Sequence, residues 1–328
     1  MRWGFLGAGH IATVALAPAL HASCRHELRV VAARCERRAA ALEPTRTAHS
    51  YAELLDDSEV DAVYINLIND LHLEWTLLAA QAGKHVLCEK PLGLSPHEVE
   101  LIRDAASRHG VVIAEAMGAR WHPRMRAFED AVTRLGPTVH VSAEFLVNRP
   151  EDGGYRWDPT RGGGALFDLG GYVLVPALVA AGWRAPDDIH ISSAAIRSGV
   201  DHELRVMLRW SDGPTTSIAV ALRVATPGER LVAVGREGAV AAAEWAFTAG
   251  RNDRVALLER TADGSRRRTE FPGVSPYEHM VDAFASAISG EDAWIMPLSE
   301  SWGVATAVAG IRHAAGLSVN HRAHTPNA

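Results

Sequence analysis

From residue 2 onward, short apolar runs alternate with longer mixed stretches. The apolar runs Arg2–Leu6, Leu28–Ala33, Ala62–Ile65, His85–Cys88 and Val111–Ala114 predict strands. Helices are predicted between them at Ala12–His21, Arg37–Glu43, Tyr51–Leu55, Leu73–Ala82 and Pro96–Arg108. Such alternation builds a parallel sheet with helices on both faces. The joints carry physical signals: Gly83 suits a left-handed helix end, and Ser95-Pro96 places an N-cap before a first-turn proline.

Beyond residue 118 the rhythm changes to alternating apolar positions. Strands are predicted at Thr138–Val147, Ile189–Ile196, Glu203–Trp210, Thr215–Leu222 and Arg230–Val234, with turns such as Ser211-Asp212-Gly213-Pro214. Helices are predicted at Ala165–Ala181, Tyr277–Ser289 and Ser299–Gly316, and the tail His321–Ala328 is expected to fray. The expected organisation is α/β with two domains. Residues 1–118 form a parallel-sheet domain, and residues 119–328 form an α/β domain with a large, mostly antiparallel open sheet.

Composition narrows the class without changing this picture. The 328 residues suit two cores rather than one, and 48% hydrophobic with 22% charged residues is ordinary for a globular chain. A net charge of -6 argues against nucleic acid as a partner. The basic triplet Arg266-Arg267-Arg268 lies between strand-like stretches and is read as a solvated hairpin. Cys24, Cys35 and Cys88 are widely spaced, so neither a disulfide framework nor a zinc site is expected, and the scattered histidines suggest no metal. No apolar run approaches the length of a membrane span, and the expected compartment is the cytoplasm.

The first strand runs into Gly7-Ala8-Gly9-His10-Ile11-Ala12, a G-x-G-x-x-A between strand and helix. Gly7 permits the tight turn, Gly9 lets a pyrophosphate approach the backbone, and Ala12 keeps helix and strand close. The free N–H groups and dipole at the start of the helix, at His10, Ile11 and Ala12, favour the phosphates. In a βαβ setting this is the dinucleotide fingerprint of a Rossmann domain. The second strand ends in Arg34-Cys35-Glu36-Arg37-Arg38 rather than in a lone acidic residue. Arg34 can stack on adenine or pair with a 2′-phosphate, and Arg38 can add a second charge or stay solvated. NADP is therefore favoured over NAD.

Two further clusters follow strands of the same domain. Asn66 and Asn69 stand at a strand's C-terminal end, where open α/β sheets bind ligands, and His72 is read first as a helix-capping and packing residue. Cys88-Glu89-Lys90-Pro91 places a carboxylate and an amine at the next strand end. Pro91 restricts Lys90 to extended backbone, and a desolvated lysine can relay a proton. A surface Glu-Lys pair is the bland alternative.

These pieces, taken in order with Ser50-Tyr51-Ala52-Glu53-Leu54-Leu55, Asn69-Asp70-Leu71-His72, Ala82–Pro91, Glu115-Ala116-Met117, Arg120-Trp121-His122-Pro123 and Gly162–Tyr172, resemble the Gfo/Idh/MocA oxidoreductase family. The likeness runs over nearly the whole chain and leans toward the sugar and dihydrodiol dehydrogenases. It implies a Rossmann domain that binds the coenzyme through Gly7, Gly9, His10, Ile11, Ala12, Arg34, Arg38, Asn66, Asn69, His72, Glu89 and Lys90. It also implies a second domain whose open sheet forms a homodimer or homotetramer. The family's catalytic lysine falls on Lys90, and its second acid/base pair falls on Asp168 and Tyr172. That pair is four residues apart on one predicted helix face. A Tyr172 packed in the core with its hydroxyl on Asp168 is the alternative. Three departures stand out: Ile68 where proline is common, Gly171 in place of a frequent cysteine, and Ala119 in place of a frequent aromatic.

The implied activity is hydride transfer between nicotinamide and a carbinol or ketone carbon of a sugar, polyol or cyclitol. Lys90 and Tyr172 would move the hydroxyl proton, and Asp168 would orient them. Arg120, His122, Arg156, Trp157 and Asp158 are candidate contacts to the hydroxylated substrate. The Gly162-Gly163-Gly164 run offers bare backbone that a substrate can approach. Two rivals remain open at this point: a redox-neutral glycosidase or lyase using the same coenzyme, and a non-catalytic nucleotide-binding scaffold.

Overall fold

The computed structural model describes residues 1–135 and 137–317. The expected fraying of His321–Ala328 lies outside the described residues. The first sheet holds β1 (Arg2–Leu6), β2 (Glu27–Ala32), β3 (Arg46–Ala48), β4 (Ala62–Ile65), β5 (His85–Glu89) and β6 (Ile113–Ala116). All its pairings are parallel, in the order β3-β2-β1-β4-β5-β6. The order reverses between β1 and β4, which makes a topological switch point at their C-terminal ends. β4 is buried at every position and β1 at all but its first, as strands covered on both faces must be.

Helices occupy the crossovers: α1 (Ala17–His21), α2 (Glu36–Ala40), α3 (Tyr51–Leu55), α4 (His72–Gln81) and α5 (Pro96–His109). A π-turn over Ala12–Leu16 leads into α1. Local chemistry fixes the ends. Ser50 and Ser95 accept hydrogen bonds from Glu53 N and Glu98 N, and α5 ends at Gly110 with φ +65°. α6 (Pro123–Arg134) follows, a polar helix outside the predicted set.

The second sheet has eight strands: β7 (Thr138–Asn148), β8 (Asp188–Arg197), β9 (Val200–Arg209), β10 (Thr215–Ala221), β11 (Arg223–Gly235), β12 (Val240–Ala243), β13 (Val255–Arg260) and β14 (Arg266–Phe271). Their order is β14-β13-β12-β11-β7-β10-β9-β8. The β8–β9, β9–β10, β7–β11 and β11–β12 pairings are antiparallel, while β7–β10 is parallel. The basic triplet opens strand β14 instead of forming the hairpin turn. That turn lies just before it, where Asp263 accepts hydrogen bonds from Thr261 and Ser265. The triplet is exposed, as expected. The remaining helices are α7 (Ala165–Ala180), α8 (Pro276–Ile288) and α9 (Leu298–Ala314). No helix among the described residues is long and apolar enough to cross a membrane.

The chain divides into two compact units. One holds Met1–Asp130, Ala243–Leu257 and Arg268–Trp302, and the other holds Ala131–Ala242, Leu258–Arg267 and the described residues from Gly303. The chain thus returns twice to the first unit, where the sequence suggests a single boundary near residue 118. The first unit's core centres on Trp3, Phe5 and Tyr64, with Phe284 of α8 against Trp3 at 5.6 Å. In the second unit α7 packs on β7, β9 and β10, burying Leu166, Val173 and Leu174 with Val141, Ala143 and Phe145. α7 is apolar almost all round, as a helix enclosed by its own unit should be.

Candidate functional site

In the first unit, the turn after β1 is built on two glycines that the structure leaves no choice about. Gly7 has φ +97°, and its N–H donates to Ala32 O at 2.8 Å. A Cβ on Gly7 would overlap the backbone carbonyl of Asn66, and one on Gly9 would overlap Asn66 Oδ1. Both residues are therefore required by the neighbouring end of β4 as well as by any ligand. His10, Ile11 and Ala12 begin the following helix, whose first N–H groups have no intrahelical acceptor. Arg38 folds back from α2, and its Nη2 donates to Ala8 O at 2.6 Å. Arg34 is exposed just beyond β2 and acts on the Tyr51 hydroxyl.

Beneath this turn lies a chain of hydrogen bonds across the sheet. Asn66 Nδ2 donates to Tyr64 Oη at 3.3 Å, and Tyr64 Oη donates to Glu89 Oε1 at 2.7 Å. Tyr64 is wholly buried, so its phenol is pushed well above its ordinary value by burial and then by the Glu89 charge. Asn66 Oδ1 is buried and makes no hydrogen bond to a described residue. An orphaned acceptor facing a turn that tolerates no side chain fits a dinucleotide carrying hydroxyl and amide donors. Asn69 is buried at the start of a short 3₁₀ turn, Asn69–Leu71.

Lys90 leaves the end of β5, and the Lys90–Pro91 peptide is cis. Two buried side chains, His72 and Glu115, grip the backbone of this turn. His72 Nδ1 lies 2.7 Å from Pro91 O and His72 Nε2 3.2 Å from Leu67 O. A neutral imidazole has one N–H, and the shorter contact assigns it to Nδ1. Burial pushes the His72 pKa down and keeps the ring neutral. Leu92 N donates to Glu115 Oε1 at 3.1 Å.

Arg120 and His122 also belong to the first unit. Arg120 is 3% exposed and paired with Glu129 at 2.9 Å and with Glu300, its guanidinium 4.7 Å from the Trp294 ring centroid. His122 Nδ1 accepts from Arg124 N at 3.1 Å, and burial together with the Arg124 charge lowers its pKa to about 4.

In the second unit, Asp168 and Tyr172 share α7. Arg156 Nε donates to Asp168 Oδ2 at 2.8 Å, while Arg156 also stacks 4.7 Å over Tyr155. The Tyr172 ring meets Phe145 edge-on at 5.3 Å. Trp157 Nε1 donates to Pro150 O at 3.1 Å and its ring lies 4.8 Å from His202, and Asp158 accepts from Thr160 N at 2.9 Å. The glycine run differs from its expected use. Gly162, Gly163 and Gly164 are buried. A Cβ on Gly163 would strike the carbonyls of Tyr155, Arg156 and Asp158, and one on Gly164 would strike Asp201. The run packs the unit internally instead of offering open backbone.

Several residues that shape these sites are given no role by the sequence, although Glu115 opens the piece Glu115-Ala116-Met117. Tyr64 and Glu115 stand inside buried strands, and a lone ionisable group in such a run is the signal that marks them. Asp201 and Arg312 form a buried pair at 3.5 Å, with Asp201 Oδ2 accepting from Leu166 N at 2.7 Å in the first turn of α7.

Comparison with known proteins agrees with the fold. Residues 1–117 match the model of an oxidoreductase family with an NAD-binding Rossmann fold, and residues 131–241 match the GFO/IDH/MocA C-terminal domain. The chain is 34% identical over 298 residues to a D-xylose 1-dehydrogenase (NADP(+)) of Haloferax volcanii, covering 88% of this chain and 89% of that protein. It is 30% identical over 239 residues to a scyllo-inositol 2-dehydrogenase (NADP(+)) of Bacillus subtilis, covering 70% of each. The 3-ketoreductase KijD10 of Actinomadura kijaniata, solved with NADP and TDP-benzene, superposes with a TM-score of 0.85 at 25% identity, covering 96% of this chain and 97% of that one.

Proposed function

The chain belongs to the Gfo/Idh/MocA oxidoreductase family, and from that premise we propose that it is an NADP-dependent dehydrogenase or reductase of a sugar, polyol or cyclitol. The observation that carries this reading is the buried Asn66 Oδ1 over Gly7 and Gly9, without a hydrogen-bond partner among the described residues, just after β4 and next to the strand that leads into Lys90. NADP is supported by the names of the two curated relatives and by the arginines Arg34 and Arg38 after β2. Nucleotide binding is assigned to residues 1–118, with the pyrophosphate on the backbone from Gly7 to Ala12. Asn66, Asn69, His72 and Glu89 form or brace its floor. The substrate is assigned to residues 119–328, and copies of the chain are assigned to associate through the open sheet.

The bound coenzyme supplies or accepts the hydride. The chain's own residues handle the proton. In oxidation, the Lys90 amine or the Tyr172 phenolate takes the proton from the substrate hydroxyl. In reduction, the ammonium or phenol returns it to the carbonyl oxygen. Asp168, held by Arg156 Nε, is assigned to orient Tyr172 on the same helix. Tyr64 and Glu89 keep the strand ends rigid, so that Asn66 and Lys90 present their polar atoms without reorganisation.

The test is a dehydrogenase screen with NADP and NAD against sugars, sugar acids, cyclitols and sugar-nucleotide ketones, followed by coenzyme absorbance. Turnover with NADP is expected. Lys90→Ala is expected to lower kcat by about 10²-fold or more while coenzyme still binds. Substrate consumption without net change in coenzyme absorbance, or no turnover with any class, would overturn the proposal.

A further inference from the structure

Glu115 is a buried carboxylate that this chemistry leaves unused. The β5–β6 register pairs Cys88 with Glu115 and Glu89 with Ala116. Glu89 therefore leaves the sheet on the face of Tyr64, and Glu115 leaves on the opposite face with Cys88. Glu115 is 2% exposed. One of its oxygens is committed: Oε1 accepts the N–H of Leu92, two residues after Lys90. The other is not, since Oε2 makes no hydrogen bond to a described residue.

The groups facing this carboxyl come from several elements. They are Cys88 at the end of β5, Lys90 in the turn after it, Arg120 after β6 and Ser301 in α9. Ser301 Oγ, like Glu115 Oε2, is buried without a close hydrogen-bond partner among the described residues, yet it stands near enough to favour the ionised carboxyl. His72 approaches Lys90 from α4 and is neutral. Cys88 is fully buried with its thiol pushed well above its ordinary value, so it brings no charge near neutral pH. Arg120 is engaged by Glu129 and Glu300. Lys90 is the cation carried by the turn whose backbone Glu115 holds, and its charge favours the ionised carboxyl. Burying a carboxylate is costly unless hydrogen bonds and charges compensate it, and here the Leu92 N–H and the charges of Lys90 and Arg120 do so.

We propose that Glu115 is a positioning residue for Lys90: its carboxylate anchors the turn that carries the amine and supplies the anion that holds the amine's proton. This rests on the reading of Lys90 as the proton-transfer group. Burial raises the Glu115 carboxyl, while Ser301, the Leu92 N–H and the charges of Lys90 and Arg120 oppose the rise. The charge of the carboxyl and that of the amine therefore depend on each other.

Glu115→Gln keeps an acceptor for Leu92 N and removes the charge. The primary readout needs no turnover. Lys90 in the coenzyme-free chain is labelled competitively with acetic anhydride across pH, and the modified peptide is quantified by mass spectrometry. In Glu115→Gln the Lys90 amine is expected to titrate about one unit lower than in the unmutated chain. With an active substrate, the corresponding limb of the kcat–pH profile is expected to move the same way, with coenzyme affinity unchanged. A purely structural Glu115 would move neither midpoint, and equal Lys90 midpoints in the two chains would overturn the proposal. Should Glu115→Gln fail to fold, the coupling can be read in reverse. The ¹³C carboxyl resonance of Glu115 is followed in the unmutated chain and in Lys90→Met. An upward shift of its midpoint supports the proposal, and no shift overturns it. If no substrate class is turned over while the labelling midpoint still shifts, the functional reading fails and the Glu115–Lys90 coupling stands.

Discussion

Asn66 Oδ1 occupies the space where a side chain on Gly9 would begin, and it makes no hydrogen bond to any described residue. The end of β4 therefore forbids a side chain at residue 9 and leaves an acceptor buried beside it. Gly9→Ala must push Asn66 aside. Coenzyme affinity is expected to fall by about 10- to 100-fold, roughly 1.4–3 kcal/mol. Fluorescence titration with reduced coenzyme measures this, and circular dichroism checks that the fold survives. Unchanged affinity would mean that Asn66 and the turn play no part in binding.

Tyr64 gives its only proton to Glu89, deep in the first unit. Tyr64→Phe leaves the carboxylate buried without that donor and also removes the acceptor for Asn66 Nδ2. A hydrogen bond to a charged group contributes about 1.5–3 kcal/mol, so denaturant unfolding of Tyr64→Phe is expected to show a loss of about 2 kcal/mol. A loss below about 0.5 kcal/mol would show that water replaces the phenol.

The two arginines after β2 are expected to separate in function. Arg34 is exposed and acts on Tyr51, whereas Arg38 is tied to Ala8 O. Arg34→Ala is expected to raise KM for NADP by about 10-fold or more, from the loss of a charge-assisted contact, with little change for NAD. Arg38→Ala also loosens the glycine turn and is expected to weaken both coenzymes. Steady-state kinetics with the two coenzymes tests both variants. Equal effects of Arg34→Ala on NADP and NAD would remove the case for a 2′-phosphate contact.

Local signals made much of this molecule legible from the chain. Arg2–Leu6, Tyr51–Leu55 and Ala62–Ile65 form the elements predicted, to the residue, because each is set by its own composition and, for α3, by the Ser50 cap. Other elements answer to distant partners. β3 has three residues and exists because β2 offers it an edge. β14 is mostly charged and exposed, so no alternation marks it. The same division holds at the sites. Gly7 and Gly9 are readable because a tight turn is a local requirement, but their clash with Asn66 belongs to the neighbouring strand. Arg156 meets Asp168 through a looped segment, and Asp201 meets Arg312 from a different segment of the second unit's chain; no spacing rule encodes either pair.

That last pair gives a pH-dependent expectation with a definite sign. Asp201 closes the first turn of α7 by accepting from Leu166 N, and Arg312 lies 3.5 Å away with its guanidinium 4.4 Å over Phe167. Burial raises the Asp201 carboxyl to about 6, against the lowering effect of its hydrogen bonds and of Arg312. In the unfolded chain an aspartate titrates near about 3.9. Between these values the folded chain keeps a proton that the unfolded chain has released. Stability contributed by this group is therefore full below about pH 4, falls as pH rises to about 6, and is level beyond. Asp201→Asn cannot titrate and retains an acceptor for Leu166 N. The unfolding free energy of the unmutated chain minus that of Asp201→Asn is thus expected to decline by up to roughly 3 kcal/mol across that window. Urea unfolding of both chains at several pH values measures the difference. A flat difference would show that Arg312 and the hydrogen bonds cancel the effect of burial and leave Asp201 at its unfolded pKa, and a rising one would show that they stabilise the charge more than burial opposes it.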